Sequence, residues 1–119
     1  MRAPIVIAAA VVVFLAFGGY LVFARSASGG GVPRTVAVTV VGTRMTPRVI
    51  SVHRGDRVTM NVTVDKQEEI HLHGYDIKFE AARAGDTVSH TFTADKTGNF
   101  DIEIEDTGTG LGSLQVTPG

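Results

Sequence analysis

Strict alternation of apolar and polar residues runs through most of the second half of this 119-residue chain. It is clearest in three segments: RVTMNVTV at residues 57–64, TVSHTFT at 87–93 and NFDIEIE at 99–105. A period of two is the side-chain period of a β-strand with one buried face. Glycine-containing turn sequences at 54–56, 84–86 and 95–98 separate these segments. The pattern predicts an all-β domain, a Greek-key β-sandwich of seven or eight strands.

The N-terminal segment has a different character. Residues 3–24 form an uncharged run of about 22 residues, which is long enough to cross a bilayer as a helix. We therefore predict a single transmembrane anchor at 1–25, a flexible linker at 26–33 that contains SASGGG, and the β domain at 34–119. A cleaved signal peptide is the alternative, although its apolar region is usually shorter, about 7 to 15 residues.

The charge distribution excludes one class of partner. Eleven residues are basic and twelve are acidic. Arg2 and Arg25 flank the apolar run, so the domain contains nine basic and twelve acidic residues, a net charge of −3. This balance gives no basic surface for nucleic acid. The flanking charges are nearly symmetric and so do not determine the orientation. We expect the domain to lie outside the cytoplasm, in the periplasm or the extracellular space, because no other signal places a domain of this kind in the cytoplasm.

Five stretches of the domain carry a family resemblance. They are PRVISVHRGD at 47–56, HLHGYD at 71–76, AGDTVSHTF at 84–92, GNFDIEI at 98–104 and LGSLQVTP at 111–118. In this order they resemble the cupredoxins, especially membrane-anchored bacterial single-domain members and the copper domains of oxidase subunit II and nitrous oxide reductase. The resemblance covers nearly the whole domain and implies a cupredoxin-like sandwich with copper as the associated metal.

The resemblance also shows which ligands this chain lacks. His73, followed by Gly74 and Tyr75, matches the first histidine ligand of the family. The family's cysteine, second histidine and methionine would fall near Ile104, Asp106 or Thr107, and Leu111, and none of these residues is a match. The chain contains no cysteine at all. A blue-copper centre requires a cysteine thiolate, so we do not expect a blue-copper electron carrier.

A different donor set remains. His71 and His73 are two residues apart on a predicted strand, so their imidazoles share one face, and such a pair suits Cu(II) or Zn(II). Glu103 and Glu105 project from the polar face of the last long strand, and either carboxylate can complete the site if the strands are neighbours. The alternative is that His73 is a structural residue that ties the end of its strand.

Two functions are compatible with these features. The first is a membrane-anchored accessory protein that binds or delivers copper outside the cytoplasm through His71 and His73. The second is a metal-free interaction or assembly subunit of a larger membrane complex, for example a respiratory one. No nucleophile–base arrangement and no phosphate-binding loop occurs in the sequence, so we do not expect an enzyme. The Met60 side chain alternates with valines and is expected in the core.

Overall fold

Ten β-strands make up the regular structure of the described part of the chain. The computed structural model describes Leu21, Val22 and residues 31–119. The strands are β1 Leu21–Val22, β2 Pro33–Val41, β3 Arg44–Thr46, β4 Val49–His53, β5 Arg57–Val64, β6 Glu68–Leu72, β7 Ile77–Ala81, β8 Thr87–Thr93, β9 Gly98–Ile104 and β10 Thr109–Thr117. Within these residues no helix is long and apolar enough to cross a membrane. Apart from Leu21 and Val22, the predicted membrane helix lies outside the described residues, as does most of the predicted linker.

The strands form two five-stranded sheets. The first has the order β1-β2-β5-β8, with β3 also paired to β2, and the second has the order β4-β10-β9-β6-β7. Pairing is parallel between β2 and β5 and between β4 and β10, and antiparallel elsewhere. The all-β prediction is confirmed. The predicted seven or eight strands become ten, because β1 and β3 have only two and three residues and carry no readable alternation.

The inward faces of the two sheets supply one hydrophobic core. In β5, Val58, Met60, Val62 and Val64 are buried while the residues between them are more exposed, as the alternation predicts. Met60 is fully buried, and Met45 in β3 is buried as well. The largest fully buried side chains are Phe79, Met45, Ile50, Met60, Ile70, Leu72, Ile102 and Leu114. Each such side chain contributes about 1.5 to 3 kcal/mol of transfer free energy.

A β-bulge shapes the start of β10. The register between β9 and β10 shifts between Gly110 and Gly112, which leaves Leu111 as the extra residue, and its side chain is buried in the core. A Cβ atom at Gly112 would lie 2.1 Å from the backbone oxygen of Arg48, so only glycine permits this close approach. The buried side chain of Leu111 thereby completes the hydrophobic core next to the turn between β9 and β10.

Candidate metal centre

The pairing of β6 with β9 determines which side chains meet on the outer face of the second sheet. His71 lies directly opposite Glu103, and the His73 backbone N–H donates to the Asp101 carbonyl at 2.9 Å. On both strands the alternate residues are in the core, namely Ile70, Leu72, Ile102 and Ile104. Side chains two residues apart share a face, so His71, His73, Glu103 and Glu105 all project from the face opposite the core.

These four side chains are in direct contact. His73 Nε2 lies 2.7 Å from Glu103 Oε2, and His71 Nδ1 lies 3.1 Å from Glu105 Oε1. The two imidazole rings are tilted by 47° with centroids 4.3 Å apart. One donor atom each from His71, His73 and Glu103 falls within 4.8 Å of the others. The structure therefore brings together all four residues that the sequence singled out, with three of them in a metal-sized cluster.

Two ring nitrogens in this cluster lack hydrogen bonds. His71 Nδ1 and His73 Nε2 are buried atoms, and although carboxylate oxygens lie close, neither contact has the geometry of a hydrogen bond. Buried polar atoms are nearly always satisfied, and here each nitrogen faces a carboxylate oxygen, an arrangement that a proton or a metal ion between the two atoms completes. Imidazole nitrogens and a carboxylate oxygen are donors that Cu(II) and Zn(II) accept, and the residues present fit such an ion.

The carboxylates also change the proton affinity of the cluster. The polar contact with Glu103 stabilises the imidazolium form and raises the pKa of His73 above 6.5, partial burial opposes this, and the charges of Glu105 and Asp101 add to the increase. Protons and a metal ion compete for the same nitrogen. Metal binding at His73 is therefore expected to be sensitive to pH in the neutral range.

Asp76 is a contributor that the sequence reasoning missed. Its Oδ1 lies 3.2 Å from His71 Nε2, the ring nitrogen opposite the one that faces Glu105. Asp76 has a positive φ of 56°, in the left-handed region that aspartate tolerates better than most residues. A carboxylate on the second nitrogen of a histidine orients the ring and fixes its tautomer. The only sequence signal for this role is the aspartate that ends HLHGYD.

Two of the three positions of the missing family ligands are part of the hydrophobic core, and the third, Asp106 or Thr107, is exposed in a turn. Ile104 is 6% exposed and Leu111 is 3% exposed. A tight turn joins them, with the Gly108 N–H donating to the Ile104 carbonyl at 2.8 Å. The other histidines lie elsewhere: His53 Nδ1 lies 3.1 Å from a guanidinium nitrogen of Arg34, and His90 packs edge-on against Phe79. The region between the sheets is thus filled by side chains, and the histidine–carboxylate cluster is on the outer face.

Two sheets of this order around one core define a cupredoxin-like fold, and the comparisons with solved structures agree. The Cu(I)-bound metal-binding domain of the Cu(I)-exporting P-type ATPase CopA of Streptococcus pneumoniae D39 is 16% identical, with a TM-score of 0.61 over 77% of this chain and 91% of that chain. Auracyanin A, a blue copper protein of Chloroflexus aurantiacus, is 17% identical, with a TM-score of 0.59 over 71% and 99%.

A chain from a heme-copper terminal oxidase dimer is also similar. It is 13% identical, with a TM-score of 0.60 over 98% of this chain and 99% of that chain. No protein-family model and no curated protein sequence matches the chain. At these identities the likeness establishes the fold alone, and function has to be inferred from the site.

Proposed function

We propose that this protein is a cupredoxin-like copper-binding module, tethered to a membrane by its N-terminal segment, which holds or delivers copper outside the cytoplasm. The observation that carries the proposal is the convergence of His71, His73 and Glu103 within 4.8 Å. Copper-related proteins among the structural neighbours support it. No catalytic activity is proposed.

The donor set favours Cu(II) among the divalent ions. Imidazole suits copper and zinc alike, and the general affinity order of divalent first-row metals places Cu(II) above Zn(II). His71, His73 and Glu103 would hold the ion, with Glu105 as a further carboxylate and Asp76 orienting His71. The chain has no thiolate to offer. Copper bound here would therefore act as a Lewis acid that accepts electron pairs from donor atoms, and the protein would lack the intense colour of a blue-copper centre.

Exposure of the cluster suits delivery. The side chain of His73 is 44% exposed and that of Glu105 is 38% exposed, whereas His71 is 14% exposed. Solvent and a partner's ligands can approach from the outer face of the sheet. A metal held here can be exchanged while the core remains intact.

Titration calorimetry with Cu(II) tests this function. We expect one equivalent of Cu(II) to bind wild type, no stoichiometric binding in His73→Ala, and weaker binding in His71→Ala. His90→Ala is the matched control, because this exposed histidine lies on the other sheet, and its affinity should equal that of wild type. The copper-loaded protein should show no intense thiolate-to-copper absorption band. A titration without heat beyond dilution, or equal affinity in all variants, would end the copper-site proposal.

The second candidate is an interaction subunit of a membrane complex. It is favoured by the oxidase chain, which this protein matches over nearly the full length of both. It is also favoured by a hydrophobic core that is closed without a metal, since Ile104 and Leu111 occupy the expected ligand positions. Mild detergent extraction followed by size-exclusion chromatography tests it: co-elution with a large membrane complex supports this function, and elution as an isolated small protein contradicts it.

A further inference from the structure

The free edge of β8 lacks the features that normally protect an edge strand. β8 is the last strand of the first sheet, and no other strand of the described residues pairs with its second edge. Short length, charged residues, proline and bulges are the usual protection against pairing with another chain. β8 has seven residues, TVSHTFT, of which none is charged or proline, and its register with β5 is unbroken. The edge strand β7 of the other sheet, by contrast, has five residues and includes Lys78 and Glu80.

The hydrogen bonds at the two ends of β8 show which of its backbone groups face outward. The Val64 N–H donates to the Asp86 carbonyl at 3.1 Å, and the Ala94 N–H donates to the Asp56 carbonyl at 2.8 Å. Alternate residues of an antiparallel strand direct their N–H and C=O groups to the same neighbour, so the even-numbered residues of β8 bond to β5. The odd-numbered residues present these groups at the free edge; they are Thr87, Ser89, Thr91 and Thr93.

The side chains on the inner face of β8 are incompletely covered. Val88 and Phe92 are only partly buried, and His90 between them is exposed. The residues opposite them on β5 are at most 1% exposed; they are Val58, Met60 and Val62. A further strand on the free edge would cover the inner face of β8 and remove its apolar surface from water, which is favourable.

We propose that the partner on this edge is a second copy of the chain, paired through β8 in an antiparallel ladder with two-fold symmetry. The segment TVSHTFT is chemically symmetric about His90. Antiparallel pairing of two copies centred on His90 places threonine opposite threonine at the ends and serine opposite threonine next to the centre. On the inner face it places Val88 opposite Phe92. Hydroxyl pairs and pairs of an aromatic with a β-branched residue are favourable cross-strand combinations.

Backbone geometry and charge fit the same register. Ser89 and Thr91, which lie opposite each other in it, both direct their N–H and C=O groups to the free edge, so they can exchange hydrogen bonds. The acidic residues that flank β8, Asp86 and Asp95, each fall opposite an uncharged residue. The same patch meets itself, as in most symmetric dimers. The symmetry axis is perpendicular to the sheet, so the histidine–carboxylate clusters of both copies face the same side of the dimer.

Cysteine cross-linking of the full 119-residue chain in mild detergent tests this register, since the chain contains no cysteine of its own. His90 lies on the symmetry axis, where opposing Cα atoms are about 4.5 Å apart, within the range of a disulfide. His90→Cys should therefore form a disulfide-linked dimer on mild oxidation. Thr87→Cys is the matched control, because its two copies are offset by six residues, about 20 Å, and it should not cross-link.

A pair of variants at Ser89 tests the hydrogen bonds of the edge. Both Ser89→Pro and Ser89→Ala lose the hydroxyl that donates to Asn61 Oδ1 at 2.6 Å. Only proline also removes the N–H at the free edge, which β5 does not use. By size-exclusion chromatography with light scattering, wild type and Ser89→Ala should be dimers and Ser89→Pro a monomer. A monomeric wild type, a dimeric Ser89→Pro, or equal cross-linking of the two cysteine variants would each overturn the proposal.

Discussion

Glu103 in β9 raises the proton affinity of the His73 imidazole, which lies just after the end of β6. The contact between Glu103 and His73 raises the pKa of the imidazole, so the folded protein holds this proton to a higher pH than an unfolded chain does. The resulting stabilisation is fully present below about pH 6.5 and is lost as the pH rises through the raised pKa of His73. Copper bound at the proposed site would compete with this proton, so as the pH is lowered its apparent affinity should begin to fall at a higher pH than it would with an ordinary histidine.

Glu103→Gln tests this electrostatic effect directly. In the metal-free protein, an NMR titration of the imidazole signals should give a His73 pKa above 6.5 in wild type and a lower value in the variant. Glu80→Gln is the control, because Glu80 is not among the groups that raise this pKa. The variant should also lose stability against urea at about pH 5.5 and not at about pH 9. An equal loss at both pH values would contradict the linkage.

Which residues of the site can be read from sequence depends on their place in the strands. His71, His73, Glu103 and Glu105 sit within alternating segments, where a period of two fixes the face of each side chain. Asp76 was missed for a physical reason, because it reaches His71 through the conformation of a turn.

At the scale of elements, the turn between β6 and β7 is shaped by an aromatic contact. Gly74 has a φ of 85°, and a Cβ atom built there would lie 2.2 Å from Cδ1 of Phe100. Phe100 in turn packs edge-on against Tyr75, with ring centroids 5.0 Å apart. The hydroxyl of Tyr75 donates to the Lys96 carbonyl at 2.8 Å and thereby connects this turn to the loop before β9.

Gly74→Ala should therefore lower the free energy of unfolding by about 2 to 4 kcal/mol, which combines the cost of a positive φ with that of overpacking. Gly85→Ala is the control, because Gly85 has a similar φ of 89° and nothing within 4 Å of an added Cβ. It should cost only about 1 kcal/mol. Urea denaturation of both variants measures the difference, and equal losses would exclude the Phe100 clash as the cause.

The strands themselves were only partly predictable. Alternation identified β5, β8 and β9. Burial follows a period of two in β5 and in most of β9, whereas in β8 Val88 and Phe92 are only partly buried and His90 between them is exposed. The three-residue β3 and the bulge at Leu111 depend on the partner strands and on the backbone approach at Gly112, which leave no local pattern in the sequence. Short strands and bulges are fixed by tertiary pairing, and that is why the predicted strand number was too low.

At the scale of the whole molecule, one buried carboxylate links both sheets. Asp56 accepts hydrogen bonds from the Val32 N–H at 3.0 Å and the His53 N–H at 2.9 Å, and it forms an ion pair with Arg34. Burial alone would raise the pKa of Asp56, but these three partners outweigh it and hold the pKa below 3.8. The backbone of Asp56 also accepts the Ala94 N–H at 2.8 Å, at the end of β8.

Asp56→Ala should lower the free energy of unfolding by about 3 to 5 kcal/mol, because it leaves Arg34 without its buried partner. Asp86→Ala is the matched control: its carboxylate accepts the Ala82 and Arg83 N–H groups in an exposed turn, and its loss should cost about 1 kcal/mol. Since the folded pKa of Asp56 is lowered, its contribution is present above pH 3.8 and is lost as the pH falls through that pKa. Equal losses in both variants, measured in urea near neutral pH, would contradict this role.

The histidine–carboxylate cluster and the hydrophobic core occupy opposite faces of the same two strands, β6 and β9. A substitution at Glu103 or Glu105 therefore changes the donor set without changing the volume of any core residue. A variant with one changed outer-face residue therefore keeps the same core residues as the protein from which it was made. Under the proposed function, selection, natural or in the laboratory, can therefore change the metal preference of this face one residue at a time while the core residues stay the same.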